Sequence, residues 1–236
     1  MTDSATLQRC LTFVETQVGP ASARPRHPAL RLTVTISRHS GAGGIAIAER
    51  LAERLQALRP ASPAPWTVFH RSLVEKVLAE HNLPAEFARY IPEDRVSYIQ
   101  DTLEELLGLH PSSSSLFAQV TETILGLAEL GNCILVGRGA NFILARCPTA
   151  LHVRLVSALP KRIERIMASQ KISETEAADF VRQEDAARTR YLKTHFDARL
   201  DDPLDYHLTI NTDAFGAEQS AELIAQALLL RFPVSR

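Results

Sequence analysis

The 236-residue chain has 45% hydrophobic and 22% charged side chains and a formal net charge of -1. That length suits one domain, or one domain with a lobe, and the composition can bury a sizeable core. The near-equality of 26 Lys plus Arg with 27 Asp plus Glu argues against a protein that coats nucleic acid through a bulk positive field, leaving room only for a local basic cleft. No apolar run reaches about 18 residues, so no membrane span is expected. The start, MTDSATLQRC, lacks the basic and apolar regions of a secretory signal. Cys10, Cys133 and Cys147 are odd in number and have no metal-ligand spacing, which points to a reduced, cytoplasmic setting.

Leu7, Leu11, Val14 and Val18 recur at helical spacing, and residues 19–30, with three prolines, read as a linker. Residues 1–30 are therefore expected to be an appendage that packs on the body or docks a partner. The body opens with a β-branched strand at 32–37 (LTVTIS), a turn at 38–44 (RHSGAGG), and a helix marked by Ile47, Leu51, Leu55 and Leu58. A second strand is expected at 66–70. Residues 71–130 read as mostly helical, with Leu116, Val120, Ile124 and Leu127 tracing the last helix. Residues 133–136 (CILV), bounded by Gly131 and Gly137, have the pattern of a strand buried on both faces. Further strands are expected at 150–156 and 206–210. Between them lie a helix opened by Pro160 and a long charged helix over 173–195, and an amphipathic helix closes the chain at 216–230. Strands separated by helices predict an α/β fold, a five-stranded parallel sheet with helices on both faces.

A glycine-rich turn between a strand and a helix is the context of a phosphate loop. Its backbone amides point inward, and the helix N-terminus adds partial positive charge. Ser40, Gly41, Ala42, Gly43 and Gly44 supply the small residues that allow close approach. A tight turn that binds nothing is the alternative. The sequence departs from the G-x-x-x-x-G-K-[ST] pattern at three places: Arg38 stands for the first Gly, Gly44 for the Lys, and Ile45 for the hydroxyl residue.

The run VTISRHSGAGGIAIAERLAERL resembles the first strand, loop and helix of the cytidylate-kinase-like family, a branch of the nucleoside monophosphate kinases that tends to carry I-S-R-x-x-G-S-G-G. ILVGRG at 134–139, the helix bearing Asp185 and Arg188, and YHLTINT at 206–212 continue the resemblance in order, over about residues 31–230. It implies a P-loop NTPase three-layer sandwich with an acceptor lobe at 71–115 and a lid at 170–200. It also implies transfer of the ATP γ-phosphate to CMP or a related nucleoside monophosphate, with ATP and Mg²⁺ as cofactors.

By the same resemblance, Ser37, His39, Ser40, Gly41, Ala42, Gly43, Gly44 and Ile45 form the phosphate loop. Gly137 and Arg138 face the acceptor, although Gly139 stands where the family has an Asp. Arg182, Asp185 and Arg188 carry the lid chemistry, with Arg190 a further candidate. Bidentate guanidinium suits the charge that spreads over a transferring phosphoryl group. Arg162 and Arg165 rank lower, and residues 211–213 border the donor base. Arg38 is the expected replacement for the loop lysine, provided that its side chain folds back over the loop. No metal-ligand cluster is visible, so Mg²⁺ would arrive with the nucleotide. Expected partners are small-molecule nucleotides, with no nucleic acid and no membrane; the N-terminal helix offers protein docking or self-association. Two other readings stay open: a nucleotide-binding module with weak or no turnover, and a kinase with a non-nucleotide acceptor.

Overall fold

A computed structural model describes residues 31–58, 65–70, 115–137 and 139–233. The expected N-terminal helix, most of the acceptor lobe (residues 71–114) and Arg138 lie outside the described residues. In chain order the elements are β1 (Thr33–Arg38), α1 (Gly44–Leu58), β2 (Thr67–His70), α2 (Ser115–Leu130), β3 (Cys133–Val136), α3 (Ala140–Ile143), β4 (Ala150–Val156), α4 (Leu159–Gln170), α5 (Glu174–Phe196), β5 (Leu208–Asn211) and α6 (Ala217–Arg231). The strands form one parallel sheet in the order β2-β3-β1-β4-β5, with helices on both faces. This is the predicted α/β P-loop sandwich.

The two faces of the sheet differ in chemistry because side chains alternate along each strand. On one face Val34, Ile36, Ile134, Val136, Leu151, Val153 and Leu155 are buried under Ile47, Leu51 and Leu55 of α1 and Ile224 and Leu228 of α6. Ile47, Leu51 and Leu55 recur every fourth residue, so one stripe of α1 faces the sheet. Fully burying one such side chain contributes about 1.5–3 kcal/mol.

The opposite face carries a polar ladder set by strand register. Thr33 pairs with Cys133, Thr35 with His152 and Ser37 with Arg154. Thr33 Oγ1 and Cys133 Sγ lie 3.4 Å apart, Thr35 Oγ1 and His152 Nδ1 2.9 Å, and Arg154 Nη1 donates to Ser37 Oγ at 3.2 Å. These pairs spare the groups they join the desolvation penalty of an unpaired one, although the buried Nε of Arg154 has no partner among the described residues. Burial pushes the Cys133 thiol up to about 12, so it stays protonated. It presses His152 down to about 4, so that ring is neutral.

Helix ends explain the path toward the loop. Pro160 sits in the first turn of α4, where its missing N–H is tolerated, and Lys171 closes the helix in the left-handed conformation. Two residues later Ser173 opens α5 with a capping box: its Oγ accepts from the Glu176 N–H, and Glu176 Oε2 accepts from the Ser173 N–H. The short connection turns α5 back against α4. Residues 211–213 do not cap α6, whose first turn begins after Gly216; Gln219 Oε1 accepts from the Gly216 N–H at 3.2 Å.

Candidate active site

The glycine-rich turn leaves the C-terminal end of β1, the edge where ligands bind in open parallel sheets. Gly41 and Gly43 adopt φ +78° and +79°, a conformation that residues with a Cβ avoid. A Cβ on Gly41 would lie 2.6 Å from the Arg162 carbonyl oxygen, so the turn fits against the first turn of α4 only without a side chain. Ala42 and Ser40 are buried, and Ile45 is exposed in the first turn of α1. The first amides of that helix have no intrahelical acceptor, as at any helix N-terminus.

The stem of Arg38 passes Gly44 and its guanidinium ends beside Gly137. Its side chain runs over Gly44, where a Cβ would meet Cγ at 3.0 Å and Cδ at 3.3 Å. It ends beside Gly137, where any Cβ would collide with Arg38 Nη1. Gly44 and Gly137 therefore form the floor and the end of a channel for one arginine. A guanidinium in that channel also depresses the pKa of His70, after the larger effect of burial.

Asp185 of α5 reaches the turn from the other side. Its Oδ1 accepts the Ser40 N–H at 2.8 Å and an Arg188 Nη1 hydrogen at 3.2 Å, and its Oδ2 accepts from Arg162 Nη1. A carboxylate bound by one loop amide and two guanidiniums has the contact set that a phosphate oxygen pair needs. Arg162 also donates to the Ser40 carbonyl at 3.3 Å, and its Nε is buried without a partner among the described residues. Arg165 ties the Gly41 carbonyl (3.4 Å) to Ser157 Oγ (2.9 Å), the Thr212 carbonyl (3.0 Å) and Asp213 Oδ1 (3.0 Å). The loop after β5 is thereby fixed beside the turn.

Arg182 is not brought to this site. It is exposed and pairs with Asp179 at 3.1 Å, one turn earlier on α5. The guanidiniums beside Asp185 are those of Arg188 on the same helix and Arg162 of α4. His39 is half-buried, with Nε2 3.7 Å from Asp201; burial first, then Arg154 and Arg162, hold its pKa down. Arg154, 2% exposed, is a site residue that the motifs do not point to. It donates to Ser37 and, at 2.9 Å, to Asp201, bringing a further guanidinium to the strand edge. A lone Arg inside the apolar run ALHVRLV was the available signal, because an arginine is rarely buried without a purpose.

Ser37, Arg38 and Arg188 also line a cavity of about 270 Å³, together with Gly137, Asn141 and Tyr191, among others. The Cytidylate kinase-like family profile matches residues 33–214. The chain belongs to that family. Similar solved structures include an uncharacterized protein from Eubacterium ventriosum, at TM-score 0.55 and 16% identity, over 84% of this chain and 98% of that one. A shikimate kinase from Bacteroides thetaiotaomicron aligns at TM-score 0.46 and 15% identity, over 86% of this chain and 99% of that one. Among curated proteins, a uronate isomerase from Corynebacterium glutamicum is 27% identical over 123 residues, 52% of this chain and 24% of that protein. The chain thus spans about a quarter of the length of that curated relative. Family and fold together make this a P-loop kinase-like protein. No helix among the described residues is long and apolar enough to cross a membrane.

The residues present fit an anionic phosphate. Arg38, Arg154, Arg162 and Arg188 converge on the strand edge and the turn, and the Asp185 carboxylate already rests on a loop amide. Among the described residues no group of three His, Cys, Asp or Glu could hold a metal ion, and Ile45 offers no hydroxyl.

Proposed function

We propose that the protein transfers the γ-phosphoryl group of ATP to CMP or a related nucleoside monophosphate. The observation that carries this reading is the Arg38 channel: the side chain lies over Gly44, the position from which the usual lysine would project. In this reading the Arg38 guanidinium, which ends beside Gly137, substitutes for the missing lysine as the cation next to the loop. Bound Mg²⁺ would supply charge neutralisation on the phosphates.

The chain's own residues do the rest by position and charge. The loop amides and the N-terminus of α1 hold anionic oxygens. Arg38 and Arg188 line one cavity, where they offer planar guanidinium donors to the group in transit. Asp185 orients Arg162 and Arg188 and gives up its place on the Ser40 amide when phosphate arrives. Helix α5, part of the proposed lid at 170–200, closes one wall of that cavity and excludes water. No covalent enzyme intermediate is needed.

The Asp185 carboxylate on the Ser40 amide also favours a second reading, a binding module that keeps the fold with little turnover. Incubating purified protein with Mg-ATP and a panel of nucleoside monophosphates separates the two. ADP formation with one acceptor supports the kinase; nucleotide binding without ADP supports the module.

A further inference from the structure

Arg154 is among the largest fully buried side chains, yet the carboxylate that meets its guanidinium, Asp201, has a side chain 74% exposed. A charge taken out of water needs a partner, so strand β4 here depends on a loop residue. That loop is the chain immediately behind α5. The helix ends at Phe196, and Asp197 closes it in the left-handed conformation, with φ 48°. Leu200 is buried, and its carbonyl accepts from Tyr206 Oη at 2.9 Å; Tyr206 Oη lies 3.4 Å from Ser37 Oγ. Asp201 accepts from Arg154 Nη2 at 2.9 Å, and Arg154 Nη1 donates to Ser37 Oγ at 3.2 Å. Leu200 and Asp201, neighbours in the chain, are thus tied to the same end of β1 through different side chains. Asp201 also lies 3.7 Å from His39 Nε2 of the phosphate turn.

Besides packing on α4 and ring contacts with Phe117 and Phe142, α5 has two polar attachments to the strand edge. The front one is Asp185 on the Ser40 amide, which phosphate displaces in the kinase reading. The rear one, at Leu200 and Asp201, uses no loop amide and stays when the front one opens. Arg188 lies between them on α5 and lines the cavity with Ser37 and Leu200; Arg154 and Asp201 do not line it. We infer that Arg154 and Asp201 are positioning residues: they form the pivot that keeps α5 beside the phosphate turn once its front attachment is released, and so deliver the Arg188 guanidinium to the transferring group. This rests on the kinase reading above and deepens it. Arginine suits the task because one planar guanidinium holds Ser37 and Asp201 at once, in a fixed geometry that an ammonium on a flexible stem lacks. Misplacing a reacting or stabilising group by about 1 Å can cost about 10²-fold in rate.

The test compares wild type with Asp201→Ala, Asp201→Glu and the double variant Arg154→Met/Asp201→Ala. Hydrogen exchange over residues 186–200 is followed with and without a non-hydrolysable ATP analogue, alongside initial rates of ADP release with the best acceptor and thermal melts. Asp201→Ala leaves Arg154 without its carboxylate and should melt below wild type. The double variant removes both charges together and should melt close to wild type, because replacing a buried pair by apolar groups is often neutral. Its kcat should nonetheless fall about 10–100-fold, with KM for ATP held within about twofold. With the analogue bound, its residues 186–200 should exchange faster than in wild type, while residues 133–136 of β3 stay unchanged. Asp201→Glu keeps a carboxylate and should recover part of the rate lost in Asp201→Ala. A double variant with wild-type kcat and wild-type exchange overturns the inference and leaves the kinase reading standing. So does a rate that follows the melting temperature across the variants, which would make the pair merely structural. Wild type that releases no ADP with any nucleoside monophosphate overturns the kinase reading; exchange then decides the pivot alone, faster exchange over 186–200 in the double variant upholding it and unchanged exchange overturning it.

Discussion

Exchanging the cation between strand and helix probes the site most directly. Arg38→Ala removes a guanidinium whose side chain spans from Gly44 to Gly137. Removing one preorganised donor from a developing charge typically lowers kcat about 10²–10³-fold, or about 2.7–4 kcal/mol. Because Arg38 is half-buried at a strand end, the fold should survive its loss. Gly44→Lys alone restores the usual loop residue but places its Cβ 3.0 Å from Arg38 Cγ and a second cation in the same channel. It should therefore be impaired. The double variant Arg38→Ala/Gly44→Lys frees the channel for the lysine, and its activity should exceed that of either single variant, coming within about tenfold of wild type by the same donor arithmetic. Initial-rate ADP release with the best acceptor, beside thermal melts to control for folding, reads the whole cycle. Normal turnover in Arg38→Ala would refute the role assigned to this side chain, and additive losses in the double variant would refute the exchange.

Other outcomes follow from the same contacts. Asp185→Ala leaves the guanidinium of Arg162, whose side chain is 11% exposed, without its carboxylate; discounted for partial solvation, the loss should be about 2–3 kcal/mol in urea unfolding, and an unchanged midpoint would show that the pair is not structural. Gly41→Ala forces a Cβ into the Arg162 carbonyl at positive φ and should cost about 1–3 kcal/mol while lowering kcat; full activity with wild-type stability would contradict the described packing. The folded pKa of His152 lies near 4, below its ordinary 6.5, so between those values the unfolded chain binds more protons and stability falls as pH falls. The window is worth about 3 kcal/mol for this group, and His207, also pressed down by burial, adds in the same direction. Unfolding free energies at pH 7 and pH 4.5 should differ less in His152→Gln than in wild type, and equal slopes would exclude His152 as a source.

Strands and helices were readable because their signals are short-range. The β-branched run at 32–37, the apolar run at 133–136 and the stripe Ile47, Leu51, Leu55 each state a backbone preference within a few residues. The structure places strands at Thr33–Arg38 and Cys133–Val136 and a helix at Gly44–Leu58. Alternation of strands with helices was enough for a parallel sheet, since parallel neighbours need a crossover. The short helix α3 escaped notice because four residues hold barely one turn of periodicity.

The site divides along the same line. A glycine-rich turn after a strand could be recognised from its residues alone, since close backbone approach and positive φ demand glycine whatever surrounds it. That a guanidinium from another helix also meets Asp185 could not. Arg182 lies three residues away along the helix and points to Asp179, whereas Arg162 arrives from another helix across a tight turn. Arg154 entered through strand register, and the path of Arg38 through the gaps left by Gly44 and Gly137. Local sequence specifies backbone conformation because its energetics act over a few bonds. Charge pairing and cavities arise between segments distant along the chain, and only their packing decides which atoms meet.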